Sequence, residues 1–303
     1  MWSPRGKPPV SIPETDVFKA IVESQWNGQR HRLSGVAGLR QQHPEIPPPV
    51  LARLIAEVKT EMLRNQAKAT LAVHYCEPHL IWSMDIFEYC YQGINFHVLQ
   101  VIDLGSRFKF EPAIKVGAFS GPEVADHLNM LCRQHNAPLF LKRDNGNNLN
   151  DVGVFNIMRM FAIIPLNSPP GCPQYNGVME RSQGEIKRYL RVTLTDHALR
   201  DVFAADVYYS VNRANQRPRP VLDGKTAWEV FAGEFKHYTK RERENIYHEI
   251  KSMAADIYHG METSHAKQPQ TVESSWRKAA RKWLEKHHFI ELYRDGKPLR
   301  QEA

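Results

Sequence analysis

The feature that most narrows the fold is an apolar run with one carboxylate inside it, Leu80-Ile81-Trp82-Ser83-Met84-Asp85-Ile86-Phe87. Its length and its β-branched and aromatic residues read as a buried strand. An aspartate in such a strand is costly unless something pairs with it. Residues 95–103 read as a second strand, joined to the first by a turn at Gln92-Gly93. Residues 107–111 (Arg107-Phe108-Lys109-Phe110-Glu111) read as a third, following Gly105. Connections this short imply antiparallel pairing.

The pattern then alternates. Residues 122–134 read as a helix with Val124, Leu128 and Leu131 on one face. Residues 139–142 read as a short strand that stops at Arg143-Asp144-Asn145-Gly146. Residues 155–161 are helical and 162–166 form a brief strand. A loop rich in Pro, Gly, Ser and Asn, residues 167–177, leads into a long helix over about 178–194. A meander followed by alternating strands and helices makes a mixed α/β sheet.

The flanks differ from this centre. Residues 1–13, rich in Pro and basic side chains, read as a disordered lead-in. Val17-Phe18 with Ile21-Val22 forms a short amphipathic piece, and Ser34 is placed to cap a helix over 35–42. Pro47-Pro48-Pro49 suits the start of a third helix, in which Leu51, Leu54, Ile55, Val58 and Met62 share a face and Arg53, Lys59 and Arg64 lie off it. This order suggests helix-turn-helix geometry, while a small bundle with a solvated basic face fits equally well. Beyond about residue 235 the chain is helical, polar and basic, with Trp276, Ala280 and Trp283 at helical spacing. A hairpin over 289–299 turns at Asp295-Gly296. The division is therefore 1–72, 73–235 and 236–303.

Charge follows it. The net charge of +7 splits as 10 basic and 6 acidic residues in 1–72, 16 and 17 in 73–235, and 14 and 10 in 236–303. Basic flanks favour a polyanionic partner. No apolar run reaches the length of a membrane span, and the start MWSPRGKPPV lacks the apolar region of a secretory signal, so a cytoplasmic location is expected. Four cysteines without a CxxC pair do not make a disulfide scaffold.

Three acidic residues stand out by position. Asp85 interrupts an apolar strand, Asp144 ends another, and Glu180 opens a helix after the loop. Alone, each has an ordinary reading: Asp before Asn-Gly is a turn residue, and Glu in a first helical turn complements the macrodipole. Brought to one crevice, three carboxylates repel and need a cation, and oxygen-only ligands suit Mg²⁺ or Mn²⁺. Two such ions about 4 Å apart can activate a water or hydroxyl and stabilise the leaving oxygen of a phosphodiester.

The words around these residues are Trp82-Ser83-Met84-Asp85, Val101-Ile102-Asp103-Leu104-Gly105-Ser106-Arg107, Asp144-Asn145-Gly146, and Pro170-Gly171-Cys172-Pro173-Gln174-Tyr175-Asn176-Gly177-Val178-Met179-Glu180-Arg181. They resemble the DDE catalytic core of retroviral integrases and bacterial insertion-sequence transposases. The 35 residues between Asp144 and Glu180 match the family's spacing of its last two acids. Asn212-Arg213-Ala214-Asn215-Gln216-Arg217-Pro218-Arg219 and Gly224-Lys225-Thr226-Ala227-Trp228-Glu229-Val230-Phe231 look like the closing motif of bacterial members. The resemblance covers roughly residues 78–232.

It implies an RNase H-like fold, a mixed five-stranded sheet flanked by helices, between a helix-turn-helix-like amino-terminal segment and a basic helical carboxyl-terminal tail. Asp85, Asp144 and Glu180 would be catalytic and hold two divalent ions, Mg²⁺ or Mn²⁺. The implied activity is that of a DDE transposase or integrase: cleavage at transposon DNA ends, then attack of the freed 3′-OH on target DNA without a covalent enzyme intermediate. The implied partners are transposon-end and target DNA and further copies of the chain, with no membrane, in a bacterial cytoplasm at the nucleoid. Asn176 and Gly177 would end the loop near DNA, and Lys187, two turns beyond Glu180, could face it. Arg181, Arg188 and Arg191 are candidates for phosphate contacts, as are Arg53 and Lys59 on the amino-terminal helix. Asp103 matches the family's structural Asp, and neither Glu88 nor Glu185 falls at a motif position. The zinc module of retroviral enzymes is not recognisable, because His74, Cys76 and His79 lack a following CxxC. Two readings compete with the transposase: a nuclease of this fold without joining activity, and a domesticated, non-catalytic DNA-binding protein.

Overall fold

A computed structural model of the 303-residue chain describes residues 35–69, 71–144, 146–167, 176–193, 203–262, 271–294 and 297–298. The amphipathic piece at 17–22, Ser34 and most of the 167–177 loop lie outside the described residues. Contacts divide the chain into two compact units, 1–72 with 292–303, and 73–291.

In the smaller unit, α1 (Val36–Gln42) and α2 (Pro48–Ala69) pack through Leu39, Ile46, Leu51, Leu54 and Val58. Residues 51, 54 and 58 recur at helical spacing, so one stripe of α2 is apolar. Arg53 lies off that stripe, exposed and 3.7 Å from Glu57 one turn on.

The larger unit is built on a five-stranded sheet. Its strands are β2 (Ile81–Tyr91), β3 (Ile94–Asp103), β4 (Ala113–Val116), β5 (Phe140–Arg143) and β6 (Ile164–Asn167), in the order β4-β3-β2-β5-β6. Pairing is antiparallel through β4, β3 and β2 and parallel through β2, β5 and β6. This is the mixed five-stranded sheet that the resemblance implies. The β2–β3 hairpin turns on two residues with positive φ, Gln92 (49°) and Gly93 (77°), the backbone that lets two twisted strands meet without splaying.

The third strand departs from expectation. Residues 107–111 make only a bridge, Ile102↔Lys109, and regular pairing resumes at Leu99↔Ala113 in β4. The register shifts by one residue between the two, which is a bulge. Pro112 sits there and has no N–H to give to a ladder. The outward backbone of Lys109 is taken up by a side chain: Lys109 N donates to Asn215 Oδ1 (2.9 Å), and Asn215 Nδ2 donates to Lys109 O (2.8 Å).

Helices cover both faces. On one, α3 (Gly121–His135) and α4 (Val152–Met160) pack Val124, Leu128, Leu131, Val154 and Met158 against Trp82, Met84, Leu99, Val101 and Leu141. A capping box between Ser120 and Glu123 fixes the start of α3. On the other face lie α5 (Gly177–Thr193) and α6 (Phe203–Asn215), whose Ile186, Leu190, Phe203 and Val207 meet Phe87, Phe96 and Val98. The short α7 (Ala227–Phe231) follows. Beyond it, α8 (Lys240–Glu262) and α9 (Val272–Lys286) bring Ile250, Ala279, Ala280, Trp283 and Leu284 onto Ile81, Phe140, Ile164 and Leu166. The helices that look like a polar tail in sequence thus share a core with the sheet. Their apolar residues are few but fall on one stripe, and burying each large one contributes about 1.5–3 kcal/mol.

A second, three-stranded sheet has the order β1 (Leu71–Tyr75), β7 (Ile290–Arg294), β8 (Lys297–Pro298). The carboxyl-terminal hairpin is present, with Arg294↔Lys297 paired across the two positions read as its turn.

Candidate active site

Strand alternation decides where the first two carboxylates point. Residues 81, 83, 85 and 87 of β2 face the α5 side of the sheet, since Ile81 and Phe87 belong to the cores on that side. In β5, Phe140 faces the same side. The parallel register pairs Met84 with Arg143, so Asp85 and Asp144 are the next residues along two adjacent chains. Asp85 is half-buried in mid-strand, while Asp144 is exposed just past the end of β5.

The third carboxylate arrives on α5. Met179, Ser182, Ile186 and Leu190 form its buried stripe. Two polar side chains on this helix dock onto the cross-strand pair Asp85↔Gln100. Gln183 Nε2 donates to Asp85 Oδ2 at 2.8 Å, and Gln100 Nε2 donates to Ser182 Oγ at 3.0 Å. Glu180 lies one turn before Gln183 on α5 and is exposed.

Electrostatics links the three. Burial raises the Asp85 carboxyl above its usual range. Hydrogen bonds from Gln183 and from Ile86 N pull it back, and the charges of Asp144 and Glu180 push it up again. The oxygens of Asp85, Asp144 and Glu180 do not, however, all lie within 4.8 Å of one another. Lys142, two residues before Asp144, is buried; burial brings its amine down to about 7, against the opposing pull of Glu180. Its Nζ lies 3.3 Å from Tyr75 Oη.

The remaining expected residues are more dispersed. Asn176 is buried, and its Oδ1 has no hydrogen-bond partner among the described residues. Gly177 opens α5 and its carbonyl accepts from Arg181 Nε (3.0 Å). Arg181, Arg188 and Arg191 are exposed. Lys187 lays its ammonium over the Phe87 ring, 5.0 Å from the centroid. The side chain of Lys59 lies outside the described residues.

Asp103 and Glu185 do structural work. Asp103, fully buried, accepts from His79 N (2.9 Å), Ser106 N (2.8 Å) and Ser106 Oγ. It latches a turn in which Gly105 is required, because a Cβ there would sit 2.1 Å from Glu77 O. Burial pushes the Asp103 carboxyl up to about 6, against those hydrogen bonds and Arg107. Glu185 is the hub of a buried ion cluster, with its Oε2 2.9 Å from Lys109 Nζ and 2.8 Å from Arg219 Nη2. Burial opposes its charge, but these cations hold its carboxyl below the usual range. The cluster and the Asn215 bridge give the Asn212–Arg219 word a physical meaning: it ties α6 and the segment after it to the 107–111 segment and to α5.

Gln183, Ser182, Gln100 and Lys142 escaped the sequence reading. Gln183 alone left a signal, being three residues from Glu180 and so on the same face of a helix.

No protein-family model and no curated protein sequence matches the chain. Among solved structures, similar folds occur in retroviral integrases. A chain of the simian T-cell lymphotropic virus intasome in complex with PP2A regulatory subunit B56 gamma is 18% identical over 55% of this chain, with a TM-score of 0.48. The present chain covers 60% of that one. The HTLV-2 integrase catalytic core domain in complex with magnesium, in its dimeric form, is 20% identical, with 53% of this chain and 100% of that chain covered and a TM-score of 0.43. The catalytic core domain of BIV integrase is 21% identical over 50% and 92% of the two chains, with a TM-score of 0.39.

Proposed function

We propose that this chain is a DDE transposase or integrase, a polynucleotidyl transferase that cleaves the DNA ends of its element and joins the freed 3′-OH to target DNA. One observation carries the reading. A half-buried aspartate on the central strand is one residue past the Met84↔Arg143 pair, as is Asp144 on the neighbouring parallel strand, and Gln183, one turn from Glu180 on α5, donates to it at 2.8 Å.

The donor chemistry suits a hard divalent cation, three carboxylates and oxygen only, whose side chains would have to close on the ion, since their oxygens do not all lie within 4.8 Å of one another. Asp85, Asp144 and Glu180 would hold it, as two Mg²⁺ or Mn²⁺ ions. Bound there, the metal supplies Lewis-acid activation of the attacking water or 3′-hydroxyl and charge for the leaving oxygen. The protein's part is positioning. Gln183 holds one oxygen of Asp85, leaving the carboxylate one orientation. The Gln100–Ser182 bond keeps α5 seated, so that Glu180 keeps its distance from the sheet.

Arg181, Arg188 and Arg191 form an exposed basic edge on the helix that carries Glu180. They would contact phosphates, with Lys187, Asn176 and Gly177 nearer the reacting strand, and Arg53 and Lys59 would add contacts from the amino-terminal helices. Joining two ends implies more than one copy of the chain on DNA, and a bacterial element would place the protein at the nucleoid.

The test is to incubate the protein with Mn²⁺ and DNA carrying the ends of its own element. Joined products are expected. Nicked products alone would make it a nuclease, and a shifted but intact band a binding protein. Asp144→Asn should abolish joining while DNA retention stays nearly unchanged. Loss of both in a folded variant overturns the assignment of Asp144.

A further inference from the structure

Among the described residues, one group of three metal-ligating side chains gathers at the end of β1. His74 lies in β1 and Cys76 immediately follows it, so strand alternation turns both to one side. Cys76 N donates to Phe289 O at 3.0 Å, which fixes the end of β1 against the residue preceding β7. Glu291, two residues beyond Phe289, brings a carboxylate to the same place, and its Oε2 is 3.8 Å from His74 Nδ1. One ligand atom from each of His74, Cys76 and Glu291 lies within 4.8 Å of the other two.

We propose that His74, Cys76 and Glu291 form a zinc site, with the fourth position taken by water or an exogenous ligand. The donor set is what selects the metal. A thiolate with an imidazole and a carboxylate suits Zn²⁺, and Mg²⁺ competes poorly for sulfur. Ligands at 2.0–2.3 Å around a tetrahedral ion stand roughly 3.3–3.8 Å from each other. The three atoms therefore need to close by about 1 Å, a side-chain adjustment for residues that border solvent. The thiol is not in a disulfide.

His79, next along the sequence, is not part of the group. Its ring stacks on Phe231 and Phe235 with centroids 3.9 and 3.4 Å away, and its Nε2 is 2.7 Å from Phe231 O. Glu291 replaces it from the far end of the chain, which no local CxxC or HxxxH spacing could reveal. Bound zinc would join residues 74–76 to residue 291 and hold closed a very long loop, which is where a clip restricts the unfolded chain most. The proposal is independent of the catalytic reading, since no residue is shared.

The experiment strips the full-length protein with a chelator and titrates it with Co²⁺ as a spectroscopic probe for zinc. One equivalent should give a thiolate-to-cobalt charge-transfer band in the near ultraviolet, and one equivalent of Zn²⁺ should erase it. Cys76→Ser should lose the band, Asp144→Asn should keep it, and Glu291→Gln should keep it with affinity weakened about tenfold or more. Zn²⁺ should raise the melting temperature of the parent and leave that of Cys76→Ser unmoved. A folded parent with no such band, or a band that survives Cys76→Ser, overturns the site.

Discussion

Gln183 Nε2 donates to Asp85 Oδ2 at 2.8 Å, so the helix that carries Glu180 is tied to the central strand through the carboxylate whose charge the site needs. The bond offsets part of what burial and two neighbouring acids do to Asp85. Without it, Asp85 would be harder to ionise and held only through Ile86 N, which donates to its Oδ1 at 2.8 Å.

Gln183→Ala should therefore lower DNA joining by about 10–100-fold, the usual cost of removing a group that orients a ligand. The Mg²⁺ needed for half-maximal activity should rise, and saturating Mn²⁺ should restore part of the rate. Gel-based joining assays across a metal titration check this. An unchanged metal requirement with lower activity would assign Gln183 to another role.

Gly105 is held by a close approach. A methyl group there would overlap the backbone of Glu77, inside the turn that Asp103 latches. Gly105→Ala should cost roughly 1–3 kcal/mol or more by overpacking. Urea unfolding followed by circular dichroism measures it, and a loss below a few tenths would show that the turn shifts freely.

The same latch carries a pH signature. The carboxyl of Asp103 sits at about 6 in the folded chain against an ordinary 3.8. Between those values the folded state binds more protons than the unfolded state, so Asp103 stabilises fully below about pH 4 and progressively less up to about pH 6. Asp103→Asn should flatten the stability profile in that window. Denaturant midpoints at intervals from pH 4 to about pH 7 would show it, and a profile of unchanged slope in the variant would place the titration elsewhere.

How much of this was readable in advance depends on whether the determinant was local. The β2–β3 hairpin declared itself through Gln92-Gly93 and its two flanking runs, and α3 through Val124, Leu128 and Leu131 at helical spacing, although its start, fixed by the Ser120–Glu123 capping box, was not read. The strand expected over 107–111 was misplaced, because Phe108 and Phe110 carry strand periodicity while their backbone is held by Asn215, more than a hundred residues away. The polarity of residues 236–291 hid their packing, since Ile250, Trp283 and Leu284 are few among charged neighbours and only the sheet reveals their common face. At the candidate site the acids showed in the motif words, whereas Gln100, Ser182 and Lys142 acquire meaning only from strand register. Glu185 looked like a spare acid near Glu180. Its role rests on Lys109 and Arg219, which arrive from other elements.

That ion cluster gives the sharpest stability test. Lys109 is almost fully buried, and burial lowers its amine to about 8 even with Glu185 beside it. Glu185→Leu would strand this ammonium inside the protein, and breaking one side of a buried pair costs about 3–5 kcal/mol. Adding Lys109→Met removes the stranded charge as well. The double variant should recover at least half of the loss, because two apolar side chains of similar volume need no counterion, although Arg219 then keeps only its bond to Ala214 O. Urea unfolding of the parent, both single variants and the double variant closes the cycle and yields the coupling directly. Additive losses would mean that Lys109 and Glu185 do not depend on each other, and that α5 is seated by its apolar stripe and its bonds to Asp85, Gln100 and Arg219.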